Sequence, residues 1–345
     1  MRNAARAVTI GIMHRRSRTF LPQVALALTL FHLAGPTAAD ALPDHDNGPL
    51  TGLFGLPDST ESGATIELGG FEWVTILTTA SHNVDDVSNT ERLHVDGETT
   101  RFALTLGYGL AENFDISIEV PYLWHQSGSL DSLIDEWHDI FGFPGGSRQS
   151  RERDRLEFLY ADSQSIPVGL TDNTDGIGDI RLMAGWQLSR TENRRTALRF
   201  GIKLPTGDSN DFLGSGGTDL SIGIASDIDG LLGNAKLGGF YRANITYLGE
   251  PDVLADRYND LVGQLSFGLS YSMHTHVDLT LQSRLRSAVY DSEIESLGEL
   301  SMSLNFGATF HVSDRHHLMI SVGEDVNPGT VPDVSFQIAF KYIRN

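Results

Sequence analysis

A serine, a histidine and an acid or amide held together can hydrolyse an acyl bond, the imidazole taking the serine proton while the third group orients it. The sequence offers two such groups, Ser81-His82-Asn83 and His311-Val312-Ser313-Asp314. Neighbouring side chains of a strand point to opposite faces, so the first cannot assemble as a local triad. The second has the better spacing, but its histidine falls on an inward position beside a turn. Two loops are rich in oxygen donors: Asp172, Asn173, Asp175 and Asp179 around Gly176, and Asp227-Ile228-Asp229-Gly230. Neither closes on the bidentate glutamate of a calcium loop, and turn chemistry accounts for both. Zero cysteines exclude disulfides, thiolate chemistry and cysteine zinc sites together. The catalytic and metal sets are therefore empty, and neither a cofactor nor an enzyme is expected.

The remaining polar chemistry sits on alternate residues. Glu119, Arg181, Arg199, Lys203, Arg242, Asp278, Gln282 and Arg284 each fall between residues of an apolar period, so each faces away from the apolar side. Such mixed charges form either the lining of a polar channel for small solutes or a salt-bridged core that fills the interior. Gly107, Gly109, Gly185, Gly201, Gly223, Gly263, Gly268 and Gly307 read as inward positions that leave space.

The elements that carry these residues repeat from Arg101 to the end: about ten residues of strict alternation, a tight turn, ten more, then a longer loop. Phe114, Ile116, Ile118, Val120, Tyr122 and Trp124 form one face of one such strand. Strand after strand of this kind, with no continuous apolar run, predicts an all-β transmembrane antiparallel up-and-down barrel of about twelve strands. Ala111-Glu112-Asn113, Glu192-Asn193, His274-Thr275 and Asp314-Arg315 are the expected short periplasmic turns, which places both termini in the periplasm. Tyr108, Trp186, Tyr271, Phe310 and Tyr342 then form one aromatic girdle, and Tyr122, Trp124 and Tyr247 the other. Pro121 marks a bulge or the upper limit of the hydrogen-bonded wall, because a closed barrel has no free edge to hide a missing donor.

Arg2, Arg6, Arg15, Arg16 and Arg18 precede the apolar stretch Val24–Leu33 and small residues at Ala38, Ala39 and Ala41, the pattern of a secretory signal peptide over 1–39, with cleavage expected after Ala39 or Ala41. Met13 is a second possible start. Losing those arginines leaves 20 basic against 45 acidic residues, a net charge of −25 that repels nucleic acid. The expected partners are outer-membrane lipid, lipopolysaccharide and the barrel assembly machinery, in the outer membrane of a Gram-negative cell. Residues 40–62, with the knot Pro49-Leu50-Thr51-Gly52-Leu53-Phe54-Gly55-Leu56-Pro57, form a non-strand segment either at the periplasmic mouth or in the lumen. The barrel follows over 63–345, its first strand about Ala64–Thr79 with a bulge at Gly69-Gly70. An insertion over 126–175 contains helical spacing at Leu130, Leu133, Ile134, Trp137, Ile140 and Phe141. Leu133, Trp137, Phe141 and Arg148 are the expected lid over the external mouth, either gating it or only capping it.

Two resemblances follow from these residues. Gly176-Ile177-Gly178-Asp179-Ile180, Lys203-Leu204-Pro205-Thr206-Gly207-Asp208 and Gly214-Ser215-Gly216-Gly217-Thr218-Asp219-Leu220 resemble outer-membrane barrels of the phenol-degradation, meta-pathway type, which implies passage of hydrophobic aromatic compounds. Pro49-Leu50, Gly55-Leu56-Pro57 and Trp137-His138-Asp139-Ile140-Phe141-Gly142-Phe143-Pro144-Gly145-Gly146-Ser147-Arg148 are more similar to an uncharacterised family of outer-membrane proteins of unknown function, which implies a fold but no activity. The leading expectation is a channel or binding protein for small hydrophobic or amphipathic solutes. The alternatives are a structural or cell-surface barrel with a filled lumen and, behind it, a phospholipase-like enzyme.

Overall fold

The computed structural model describes residues 40–128, 155–162, 167–326 and 334–344. The alternating segments form β1 (Phe71–Val87), β2 (Glu91–Ala111), β3 (Phe114–Gln126), β4 (Glu157–Asp162), β5 (Val168–Leu170), β6 (Thr174–Ile177), β7 (Arg181–Arg190) and β8 (Arg194–Lys203). They continue as β9 (Asp219–Ile228), β10 (Leu237–Tyr247), β11 (Leu261–His274), β12 (Val277–Arg286), β13 (Ser301–Ser313), β14 (His316–Asp325) and β15 (Val334–Arg344). Each wall strand pairs antiparallel with its neighbours, and β1 closes the ring by pairing with β2 on one side and β15 on the other. Counting β6 as the upper continuation of β7, the wall has twelve strands.

The polarity is that of a membrane barrel. Leu106, Trp186, Ile222, Phe267, Phe306 and Ile338 point outward and are exposed, whereas Glu119, Arg181, Asp278 and Gln282 point inward and are buried. A soluble protein could not leave so continuous an apolar band in water, but lipid covers it without cost. The barrel therefore spans the outer membrane by its strands.

Pro121 stands where the wall permits it. Below it β3 pairs with β7, above it with β6, and the break between those two strands lies opposite, so its missing donor faces a gap in the ladder. The break is closed by Gly178 N–H, which donates to the Pro121 carbonyl at 2.9 Å.

Three expectations change. The first wall strand begins at Phe71 rather than near Ala64, because Gly69, with φ +77°, turns the chain just before it. That strand also runs past Thr79: β1 and β2 have 17 and 21 residues and form a long hairpin joined through Ser88–Thr90. A strand needs about 9–11 residues to cross the hydrocarbon, so the upper part of this hairpin stands in water and has polar residues such as Asp85, Asp86 and Arg92 where lipid-facing ones are not required. Part of the insertion is also strand, since β4 pairs with Glu91–Asp96 of β2, and β5 pairs with β4. The helix expected over the insertion, like the signal peptide over 1–39, lies outside the described residues. The described α-helix is the single turn α1 (Glu295–Gly298) in the β12–β13 loop.

Lipid on one face and a packed interior on the other give a direct test. Leu106→Arg places a charge on the lipid face and should cost about 2–4 kcal/mol of folding free energy in vesicles. Its neighbour Thr105→Arg points to the lumen beside Glu119 and should cost far less, as read from urea unfolding midpoints.

Candidate functional site

The lumen is occupied by residues 40–66, which enter at the periplasmic end, climb to the external mouth and return. The ascending limb runs alongside β12. Leu42 N–H donates to Gln282 Oε1 at 2.9 Å and Gln282 Nε2 donates back to the Leu42 carbonyl at 3.0 Å. Arg284 donates to the Asp44 carbonyl at 2.5 Å, Arg286 lies 3.2 Å from the Asp46 carboxylate, and the Tyr290 hydroxyl donates to the Leu50 carbonyl at 3.1 Å. Hydrogen-bonded partners keep a separation of 240 positions along this path, so segment and strand run side by side in the same direction. Burial pushes the Tyr290 phenol above the usual tyrosine range, which keeps it a donor.

At the top, the apolar knot inserts under the external loops. Leu50, Leu53, Phe54 and Leu56 pack with Leu93 and Val95 of β2, Phe158 and Tyr160 of β4, and Phe212, Leu248, Val253, Val289, Tyr290, Ile294 and Leu297 from the loops. Phe54 meets Tyr290 edge to face with ring centroids 5.7 Å apart, a geometry aromatic pairs prefer. This dome closes the external mouth among the described residues.

The descent is held by charges. Lys203 Nζ lies 2.6 Å from Asp179 and 3.3 Å from Asp219, bonds Ser215 Oγ, and reaches the Leu53 carbonyl at 3.3 Å. Gly55 N–H donates to Asp219 Oδ2 at 2.7 Å. Thr206 and Gly207 N–H groups donate to Asp179 Oδ1, at 3.0 and 2.9 Å. The motif residues Asp179, Lys203, Ser215 and Asp219 thus meet as one buried clasp on the tip of the segment, with Thr206 and Gly207 closing it from the outer side. Gly55 is required there, because a Cβ would lie 2.6 Å from Lys203 Cβ. Lower down, Gln264 donates to the Pro57 carbonyl at 2.7 Å, Gly63 N–H to Asp227 at 2.8 Å and Arg199 to the Ser62 and Ala64 carbonyls, each at 2.6 Å.

The other lumen-lining residues named from sequence are engaged, all buried except half-buried Arg199. Glu119 accepts from Arg101 at 2.6 Å and lies 3.6 Å from Arg181, which in turn reaches Glu61 at 3.4 Å. Arg199 also pairs with Asp115 at 2.9 Å, Arg242 with Asp227 at 2.5 Å, and Asp278 with His311 at 2.7 Å. The inward glycines do not mark an open bore. A Cβ at Gly185 would strike Arg199 and Asp115, one at Gly109 the Glu67 carbonyl, and Gly263 faces outward, one residue out of phase with inward Gln264. These glycines make room for neighbouring side chains and for the lumenal segment. Leu133, Trp137, Phe141 and Arg148 lie outside the described residues.

Space remains on one side. A cavity of ≈ 330 Å³ lies between the segment and the wall toward the periplasm. Its lining has Glu61, Asp115, Glu119, Arg181, Arg199 and Arg242, and on β1, β14 and β15 it has Val74, Ile76, Met319 and Ala339 next to the Glu72–Lys341 pair. This inward apolar stripe, which also packs against Leu42, escaped the reading of alternation because that reading assigns every inward position to polar residues. The acids of the segment were missed too, although Asp44 and Asp46 repeat every second residue just as Arg284 and Arg286 do.

The histidines of both serine groups have other partners. His82 Nε2 hydrogen-bonds Thr99 Oγ1 at 3.0 Å on the inward face, while His311 bonds Asp278 and Ser313 bonds His316 instead.

The clasp predicts two outcomes. Lys203→Met leaves Asp179 and Asp219 buried without their cation and should cost about 3–5 kcal/mol, measured by urea unfolding; a loss below about 1 kcal/mol, the range of an exposed pair, would contradict its role. In a chain without natural cysteines, Leu50→Cys should resist maleimide, and adding Gly55→Val should make it reactive by dislodging the tip.

The barrel is similar to a crystal structure of the COG4313 outer membrane channel from Pseudomonas putida F1, with TM-score 0.56 and 14% identity over 82% of this chain and 98% of that one. Looser likenesses reach the NanC porin (TM-score 0.44, 11% identity, 79% of this chain and 98% of that one) and the P. putida toluene transporter TodX (TM-score 0.37, 9%, 85% and 93%). No curated protein matches the sequence. The sequence pattern of a family described as a protein of unknown function matches residues 44–343, from within the ascending limb of the lumenal segment to the last wall strand, and this chain belongs to that family, DUF3187.

Proposed function

We propose that the protein binds and passively passes small amphipathic or hydrophobic solutes across the outer membrane, with residues 40–66 as an internal plug that sets access. The observation that carries this reading is the ≈ 330 Å³ cavity that combines charged groups with an apolar stripe. A volume of this order accommodates a small ligand. Part of its apolar stripe seats Leu42, and the faces of that stripe that line the cavity suit a solute with an apolar body and a polar end. The stretch carrying Leu133, Trp137, Phe141 and Arg148 belongs to this reading as a lid on the external side, where Leu156 already packs into the dome. Covalent chemistry has no part in it.

A second reading, a structural or surface-interaction barrel, is favoured by one observation: the external dome and the engaged charges close the path above the cavity. The two readings differ in whether the cavity matters for passage. Ala339, inward and 1% exposed, lines the cavity, and its neighbour Ile338, outward and 51% exposed, faces lipid. Under the channel reading Ala339→Trp slows swelling of protein-loaded liposomes in small aromatic alcohols several-fold, while Ile338→Trp does not. Equal rates for both variants and for liposomes without protein would leave the structural reading.

A further inference from the structure

The periplasmic start of the lumenal segment meets a cluster of metal-ligating side chains outside the clasp, at the edge of the cavity that Asp40 also lines. Asp40, His311 near the end of β13 and His317 at the start of β14 each offer a ligand atom, and these atoms all lie within 4.8 Å of one another. The two imidazoles stand edge to face with centroids 4.6 Å apart, and His317 Nδ1 is 3.3 Å from Asp40 Oδ2. His311 and His317 are directly opposite in the β13–β14 ladder, so the hairpin itself holds them together.

The surroundings resemble those of a metal ligand more than those of a simple ion pair. His311 Nε2 is bonded at 2.7 Å to Asp278, a carboxylate with no exposed surface. A buried carboxylate on one ring nitrogen fixes the tautomer, raises the basicity of the other and aims it at a metal. Lys341, opposite His317 in the β14–β15 ladder, would oppose a cation, but Glu72 engages it at 3.0 Å. Two imidazoles and one carboxylate suit zinc or a similar divalent transition ion better than calcium or magnesium, which prefer oxygen alone.

We propose that Asp40, His311 and His317 form a zinc-class metal site at the periplasmic mouth, with Asp278 as the positioning residue for His311. Ligand atoms of a tetrahedral zinc site stand about 3.3 Å apart, as bond lengths near 2.0–2.1 Å require, so small side-chain movements close the observed cluster. The metal would join the first residues of the ascending limb to the β13–β14 hairpin. The site does not depend on what the lumen carries.

The test uses the whole mature barrel in detergent, carrying no polyhistidine tag and stripped with chelator, titrated with zinc chloride alone by calorimetry. One equivalent is expected to bind, and His311→Gln with His317→Gln to abolish it. Asp278→Asn, which keeps all three ligands, should weaken binding by about tenfold or more. His274→Gln with His276→Gln, an exposed pair in the neighbouring turn, should change nothing. Cobalt(II) supplies a readout independent of affinity: its visible absorption in the parent should change in Asp40→Asn. Absence of stoichiometric binding, or binding untouched by the double glutamine variant while that variant remains a folded barrel, would overturn the proposal and leave the cluster as hydrogen-bonded pairs.

Discussion

A charge inside the barrel must have a partner, and the rest of the structure follows from that requirement. Alternation across a membrane strand commits every second residue to the interior, and this chain fills many of those positions with Arg, Lys, Asp and Glu. An ion stripped of water and left unpaired costs several kcal/mol. The wall supplies part of the pairing itself, as in Arg101–Glu119 and Arg199–Asp115. The carboxylates that meet Arg284 and Arg286 come from residues 44 and 46. The lumenal segment is thus a component of the barrel's electrostatics and not an appendage to it.

The same constraint explains why the clasp sits where the segment reverses. A chain turning inside a lumen exposes backbone donors and carbonyls that need partners. Asp219 takes the Gly55 N–H and Lys203 reaches the Leu53 carbonyl, while Asp179 holds the N–H groups of the β8–β9 loop. One cation between two carboxylates therefore fixes the tip of the segment, the upper ends of β8 and β9, and the loop joining them. Above this point the demand changes from pairing charges to covering apolar surface, and the knot at 49–57 fills the underside of the external loops.

The membrane wall was legible because lipid imposes a strict period of two: the outward residues, the short turns and the girdles all follow from it. The upper halves of β1 and β2 were not, because above the membrane no lipid demands outward apolar residues; Asp85, Asp86 and His94 look like loop although Leu93 and Val95 pack inward under the dome. The lumenal path was half legible. Pro, Gly and Asp excluded a strand over 40–62, but placement in the mouth or the lumen depends on contacts about 240 residues away, which no local pattern carries. The motif residues around Asp179 and Lys203 were visible as a group, whereas their shared task of gripping Leu53 and Gly55 appears only when the fold brings them together. The apolar stripe of Ile76, Met319 and Ala339 breaks the polar-inward rule that made the strands readable, because it faces Leu42 of the lumenal segment.

The central claim is that residues 40–66 run inside the barrel and control what the cavity admits. Leu42 and Gln282 touch in this path, so a chain with cysteines at both positions, treated in isolated outer membranes with a short bifunctional thiol cross-linker, tests it most directly. The account predicts near-complete intramolecular cross-linking seen as a mobility shift, with no cross-link when the second cysteine replaces outward-facing Leu281 instead. Two thiols that stay uncrosslinked, with the one at position 42 freely labelled by a membrane-impermeant reagent, would place the segment outside the lumen and contradict the account.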